Sequence, residues 1–438
     1  MNINYIKYTI HYNTVMIKSI HVENFLCFKD ATIDLEGAKG EAVPYALIYG
    51  ENGSGKTNLL QSVRFLRASL DSYLSKWADR GPGAPDSAGF TMQTLHSEYS
   101  RIGSDGPMGL RFVFRINGRD AEYSMRVSKE GLIGEDLVYI LNGRRAALFS
   151  ISDERMDIGK VFKGKYLEDM RYECSKYWGF HSLLSIVSKG TADIKRGFIE
   201  DNVAPELMEV LDYINGLVLF FPNARLRPQN PLMNPRGGQW PSELDPVMDA
   251  LADAMNDFFC GLYSDVEGVR YLKNKGPRYT EYELVFDKRI EGKTVVIPIS
   301  RESSGTQRLV DEFYYILVCV HGGVVVVDEM DSGVHDVLMM EVFDEIRGCM
   351  RGQLIATTHN TVLLQNSDPR NTFIIDLDGE GCRAIRSIRS ITKTQKCNNN
   401  TKRYLEGDLG GIPIVGYLGL SEVADEFFSK AEGAADGL

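Results

Sequence analysis

The sequence predicts an α/β fold: a mixed-sheet core plus an antiparallel β subdomain, assembled from both ends of the chain around a mostly helical middle insertion. Three observations lead there. Ala46–Tyr49 is a short apolar strand that runs into a glycine-rich loop, and Thr57–Ser69 then carries Leu60, Val63 and Leu66 on one helical face. Towards the other end, residues 304–321 form an amphipathic helix, followed by apolar strands at Val324–Val327 and Gln353–Thr357. Between the two, the pattern is helical from about Tyr166 to Leu219 and again over Leu244–Tyr263. The division that follows is an N-terminal lobe over 1–150, an insertion over 151–290 and a C-terminal lobe over 291–438.

Along the chain, Met16–Phe25 alternates as a strand does and Ala31–Leu35 resembles a second one. Residues 80–108 are rich in Gly, Pro and Ser and read as an exposed loop region. Leu110–Ile116, Ala121–Val127 and Asp136–Leu141 read as antiparallel strands, joined by turns at Asn117-Gly118 and Lys129-Glu130-Gly131. A Pro/Asn-rich loop spans Pro222 to Pro241, and strand-like runs return at Tyr282–Phe286 and Thr294–Ile299.

Hydrophobic residues at 43% and charged ones at 25% describe a globular chain with a core, which excludes a disordered, collagenous or coiled-coil rod class. A net charge of −11 excludes a surface that binds polyanions everywhere, so any nucleic-acid contact needs a local basic patch. The longest apolar stretch, Phe313–Val327, is interrupted by His321-Gly322-Gly323 and falls short of the ~20 residues a membrane span requires. No signal peptide is visible, and the residues before Met16, which opens a better strand, read either as an alternative start or as a frayed extension. Seven scattered cysteines without metal or redox spacing predict free thiols in the cytoplasm.

Gly50-Glu51-Asn52-Gly53-Ser54-Gly55-Lys56-Thr57 fits G-x-x-x-x-G-K-[ST] between a strand and a helix. Such a loop curls backbone N–H groups around phosphates at a helix N-terminus. Lys56 supplies a point charge and the Thr57 hydroxyl a Mg²⁺ ligand. Asp328-Glu329 closes the strand Val324–Val327 at its C-terminal end, where α/β sheets place ligands. Asp328 would hold Mg²⁺ through water, and Glu329 would polarise the water that attacks the γ-phosphate. His359, after the next strand, could sense that phosphate or orient the water. Glu302-Ser303-Ser304-Gly305-Thr306 opens a helix, either as a simple N-cap or as a phosphate-reading N-terminus.

Taken in order, these residues resemble a standalone ABC-type ATPase of the SMC/RecF/OLD superfamily, an ABC-type P-loop NTPase head. More narrowly they resemble the RloA/AbiLi-type AAA ATPases of restriction and abortive-infection loci. Asn24-Phe25 with Phe28 is similar to the family's "NF..F" strand, Gly50–Thr57 to Walker A and Glu302–Thr306 to its "ESxGT" signature loop. Asp328-Glu329 is similar to Walker B, Ser332-Gly333-Val334-His335 to the D-loop and His359 to the switch histidine. Lys402–Gly407 with Gly411-Ile412-Pro413 resembles the "K.YLqGrYGaiP" tail. The resemblance implies ATP and Mg²⁺ as cofactors. It implies too that Asn24 and Asn58 would join the P-loop in nucleotide binding, and that Ser303, Ser304 and Gly305 would reach the nucleotide of a second subunit. Val334 and Asp336 replace the common Leu and Pro around His335, and Asp408-Leu409-Gly410-Gly411 replaces Arg-Tyr-Gly-Ala. Gln93 is the candidate Q-loop glutamine.

No long heptad array separates the lobes, which argues against an SMC-type rod. The 79 residues after His359 are too few for the Toprim nuclease of OLD-type proteins, and Asp376-Leu377-Asp378 beside Gly379-Glu380-Gly381 reads as a hairpin turn before a nuclease site. Arg383, Arg386, Arg389, Lys393, Lys396, Lys402 and Arg403 form a basic segment, read first as a solvated strand and linker; a DNA or RNA contact through 383–403 is the minority reading. Tyr177-Trp178-Gly179-Phe180-His181 reads as a packing cluster. The function expected is an ATP-hydrolysing dimerisation switch acting on a separate nuclease or toxin, in phage defence. A RecF-like DNA-repair ATPase is the alternative.

Overall fold

The computed structural model describes residues 15–78, 91–141, 143–192, 194–222, 231–378, 380–391, 400–412 and 420–435. Its central sheet has six strands in the order Arg383–Ser387, Thr372–Leu377, Tyr45–Gly50, Gln353–Thr357, Val324–Val327, Val218–Phe220. All neighbours are parallel except Arg383–Ser387, which returns antiparallel at the edge. Both faces of this sheet are covered, so its strands read as continuous apolar runs. Every residue of Tyr45–Gly50, Val324–Val327 and Gln353–Thr357 is buried. Alternate residues serve separate cores: Ala46, Ile48, Val326 and Ile355 face one, and Leu47, Tyr49, Val325 and Ala356 face the other.

The first core is shared with a seven-stranded antiparallel sheet, in the order Phe28–Asp34, Val15–Phe25, Met108–Ile116, Arg119–Ser128, Gly131–Leu141, Arg144–Ser152, Arg155–Asp157. The helix Lys56–Ala78 packs between the two sheets. It outruns the predicted end at Ser69 because Leu70 and Tyr73 continue the buried face of Leu66. The second core is shared with the helices Asp245–Leu262 and Ser304–His321 and with a four-stranded sheet of Gly237–Pro241, Val266–Lys275, Tyr279–Ile290 and Lys293–Pro298. There Trp240 is fully buried and tilted against Tyr282 at 4.0 Å between ring centroids.

Three expectations need correction. The stretch 151–290 holds the helices Gly164–Tyr177, Leu183–Ala192, Arg196–Asn202, Pro205–Gly216 and Asp245–Leu262, but it also supplies the core strand Val218–Phe220 and three strands of the hairpin sheet. Within the expected loop region, Met92–Tyr99 is a helix closed by a Thr91/Thr94 capping box, with Met92, Leu95 and Tyr99 buried. Residues 79–90 of that region lie outside the described residues. The strand Arg144–Ser152 escaped notice because its first four residues are exposed and carry no apolar alternation. The predicted free thiols are found as such at Cys27, Cys174, Cys260, Cys319, Cys349 and Cys382; Cys397 lies outside the described residues, as do Lys393, Lys396 and Pro413. Among the described residues no helix is long and apolar enough to cross a membrane.

One side chain rivets the two large sheets together. Gln353 is fully buried; its carbonyl accepts from Ile17 N at 2.7 Å, and its amide donates to the carbonyls of Ile17 and Val43, both at 2.9 Å. An apolar residue of the same size leaves three buried backbone groups without partners. Gln353→Leu is therefore expected to destabilise the protein by about 2–4 kcal/mol, measured as a shifted midpoint with unchanged slope in urea unfolding.

Candidate functional site

The parallel strands end together at one edge of the sheet, and the sequence-predicted residues sit on the loops leaving that edge. Gly50 ends its strand with φ +154°, and a Cβ there would lie 2.6 Å from Ser54 Oγ and 2.8 Å from the Ile375 carbonyl, so only glycine lets the loop turn here. Asn52 and Gly53 at the tip are exposed, whereas Ser54 and Lys56 are buried. Lys56 folds back over its own loop and donates to the carbonyls of Gly50 at 2.8 Å and Glu51 at 3.0 Å. Burial lowers the pKa of its ammonium, against the opposing pull of Asp328, Glu329, Asp331 and Glu51.

Asp328 is where three strand ends meet. Thr57 Oγ1 donates to its carboxylate at 2.9 and 3.1 Å, Thr357 Oγ1 donates to Oδ1 at 2.7 Å, and its N–H reaches the Phe220 carbonyl at 2.9 Å. Thr357 Oγ1 also accepts from Glu329 N at 2.7 Å. Glu329 adopts φ +52°, a left-handed conformation uncommon for a glutamate. Its carbonyl is held by Arg308 Nη2 at 2.6 Å, which also reaches the Asp328 carbonyl at 3.1 Å. Arg308 is itself paired with the buried Glu312 at 2.7 Å, and burial pushes that carboxyl up to about 8. The hard oxygen set of Thr57 and Asp328 fits Mg²⁺, which takes one or two protein oxygens and completes its shell with phosphates and water. Among the described residues no cluster of three or more His, Cys, Asp or Glu offers a closed metal cage.

His359 follows Thr357-Thr358, and its N–H donates to Asp331 at 3.2 Å. Partial desolvation and then the nearby Lys56 ammonium lower the pKa of its imidazole below the ordinary 6.5. Ser303 caps the helix Ser304–His321 by accepting from Thr306 N at 3.1 Å, so the simple capping role is real. Ser304 is exposed, and Gly305 lies against the D-loop, where a Cβ would come within 2.7 Å of the Gly333 carbonyl. Among the described residues no hydrogen bond or ion pair joins Ser303–Gly305 to the P-loop of the same chain. His335 caps the next helix, accepting from Val337 N at 3.3 Å.

Other candidates fall elsewhere. The Asn24 carboxamide donates to the Pro107 carbonyl at 3.1 Å and is not hydrogen-bonded to the P-loop. Phe25 is fully buried against Phe65 of the P-loop helix, with ring centroids 6.1 Å apart. Asn58 lies beside the Cys27 thiol. Gln93 donates to the Glu130 carbonyl in a turn of the antiparallel sheet at 2.8 Å, which removes the basis for a Q-loop role. Asp376 pairs with Arg386 at 2.7 Å, and Asp378 caps the turn to Cys382, as a hairpin requires and a nuclease site does not. Trp178 donates to the buried Glu135 at 2.9 Å, so that aromatic cluster is packing. Three contributors carry no signal for these roles in the sequence: Thr357 at an apolar strand end, Arg308 inside an amphipathic helix, and Arg383, which reaches the P-loop carbonyls.

Residues 140–365 match the family model described as "AAA domain, putative AbiEii toxin, Type IV TA system", just over half the chain. The chain belongs to this AAA-domain family. A second AAA-domain model matches residues 19–81, which include the P-loop. This AAA protein is thus an ATP-hydrolysing enzyme with a P-loop. No curated protein matches it. Among solved structures it is similar to the SMC head domain from Thermotoga maritima (15% identity, 85% of this chain and 98% of that one, TM-score 0.38). It is similar also to the Smc head domain with an extended coiled coil bound to the C-terminal domain of ScpA, from Pyrococcus furiosus (15%, 86% and 98%, TM-score 0.43). The recombination mediator RecF is a third (14%, 86% and 99%, TM-score 0.38).

Thr357→Val keeps the shape of this AAA domain's strand end while removing both hydroxyl contacts. ATP turnover should fall by about tenfold or more, with nucleotide affinity within about threefold of wild type, in parallel steady-state and binding titrations. A lowered pKa keeps the His359 imidazole neutral at pH 7, and protonation sets in only as pH falls. Turnover should therefore decline on the acid side below the ordinary 6.5, and His359→Gln should remove that limb from the pH–rate profile.

Proposed function

We propose that this ATPase is a nucleotide-dependent dimerisation switch that controls a separate effector, a nuclease or toxin, in anti-phage defence of the abortive-infection or restriction type, within the RloA/AbiLi-like branch. The observation that carries the reading is an asymmetry. Lys56, Thr57, Asp328, Glu329 and His359 gather on one set of loops, whereas Ser303 and Ser304, at the start of their helix, are exposed without a bond to their own P-loop. A helix N-terminus with exposed N–H groups attracts anions, and a second copy's nucleotide is the anion that this geometry suits.

In this reading the loop Gly50–Thr57 cradles the phosphates of ATP, with Lys56 as the fixed charge, while Thr57 and Asp328 hold Mg²⁺. Glu329 orients and deprotonates the attacking water, and His359 reads the γ-phosphate. Ser303–Gly305 of the other copy complete the pocket. When bound, Mg²⁺ supplies charge neutralisation on the phosphates. Residues 1–150 and 291–438 act as the two lobes, and 151–290 reports closure to the effector. The helix Leu420–Ala435 supports a protein partner: Leu420, Val423, Phe427 and Phe428 on it are all exposed. The DNA-binding alternative is disfavoured by the pairing of Arg386, Lys402 and Arg403 with Asp376, Glu406 and Asp408.

Glu329→Gln should bind MgATP, lose turnover by about a hundredfold or more, and double in mass by light scattering only when ATP is present. Undiminished turnover in that variant sinks the assignment. Turnover stimulated by DNA, with a steep dependence of binding on salt, favours the RecF-like alternative.

A further inference from the structure

We infer that Arg383 is a positioning residue for nucleotide binding, holding the P-loop in its phosphate-ready shape from the outside. This rests on reading Gly50–Thr57 as the phosphate cradle. A loop that aims its N–H groups inward at an anion turns carbonyls outward, and those carbonyls need donors. The helix behind the loop and the loop itself take only part of the set: Gly55 O receives Leu59 N at 2.9 Å, and Glu51 O receives Ser54 N at 3.2 Å. No described backbone N–H takes the carbonyls of Gly53 or Ser54.

Arg383 takes both. It opens the edge strand Arg383–Ser387, where it is registered opposite Leu377. Its Nε donates to the Ser54 carbonyl at 2.9 Å and its Nη2 to the Gly53 carbonyl at 3.3 Å. Nη1 reaches the Cys27 carbonyl at 3.2 Å and the Gly381 carbonyl at 3.3 Å. One planar fork thus ties the P-loop to the hairpin Val15–Asp34 and to its own strand, three segments more than 300 residues apart in sequence at the extremes. Its stem lies 3.5 Å from the position a Gly55 Cβ would occupy. With these donors committed to carbonyls, Arg383 shapes the cradle and leaves phosphate contact to the loop N–H groups and Lys56. A lysine keeps the charge and the stem, but its single nitrogen cannot reach all four carbonyls that the planar fork spans.

The test is calorimetric titration with a non-hydrolysable ATP analogue and Mg²⁺, beside steady-state kinetics and thermal unfolding. Arg383→Ala should raise the dissociation constant and KM about tenfold or more, with Arg383→Lys between it and wild type. At saturating ATP, kcat should stay within about threefold, because the groups that act on the γ-phosphate are untouched. The unfolding temperature without nucleotide should stay near wild type while the ATP-induced rise shrinks. If Arg383→Ala does not fold, Arg383→Lys decides alone. Affinity within about twofold of wild type in the folded variants, or a fall confined to kcat, overturns the inference. Lys56→Ala separates the two levels: if it abolishes binding while Arg383 variants do not, only the Arg383 role fails. If wild type takes up no nucleotide, or Lys56→Ala changes nothing, the cradle reading fails first.

Discussion

The Asp328 carboxylate is the constraint on which the rest of the site depends. It sits at the end of a fully buried strand, and hydroxyls from the P-loop helix and from the neighbouring strand both donate to it. A buried carboxylate is tolerated only when its lone pairs are satisfied. Thr57 and Thr357 satisfy them and so fix the spacing of the loops they belong to. Because the strands are parallel, their C-terminal ends gather at one edge, and one carboxylate there can register the loops that follow three of them.

Around this junction the backbone is held in a conformation it would not choose alone. Glu329 lies in the left-handed region, which costs about 1 kcal/mol or more for such a residue. Thr357 holds its N–H and Arg308 its carbonyl, so neighbours on both sides over-determine the turn. Arg308 belongs to the helix that Ser303 caps. A displacement of that helix is therefore felt at the Glu329 backbone, which gives the proposed inter-subunit contact a short mechanical route to the proposed catalytic carboxylate. On the other side of the P-loop, Tyr404 stands edge-on to Tyr49 at 5.6 Å, and a Cβ on Gly411 would approach Gly50 Cα at 3.2 Å. The tail segment read as a family signature is thus a buttress behind the loop.

The expected site residues that the structure brings together at the strand ends share one property. Gly50–Thr57, Asp328-Glu329 and His359 are short contiguous runs whose local backbone, strand end into loop, already fixes where their side chains project. The central sheet was legible for a related reason, since burial on both faces forces unbroken apolar runs such as Val324–Val327. Asn24 and Gln93 were misread because an amide bonds whichever carbonyl the fold supplies, Pro107 and Glu130 here, and nothing local specifies that choice. The hairpin sheet inside 151–290 was underestimated because Trp240, Tyr271 and Tyr282 form a cluster only once Gly237–Pro241 and Val266–Lys275 flank Tyr279–Ile290.

Local chemistry and periodicity were enough to fix the α/β class, the P-loop, the acidic strand end and the capped helix at Ser303, since each is written in residues close along the chain. Long-range packing settled the partners of Arg383, Arg308, Thr357 and Gln353. Each bonds groups brought near by sheet order, and a side chain's choice among distant carbonyls and carboxylates has no signature in its own neighbourhood of sequence.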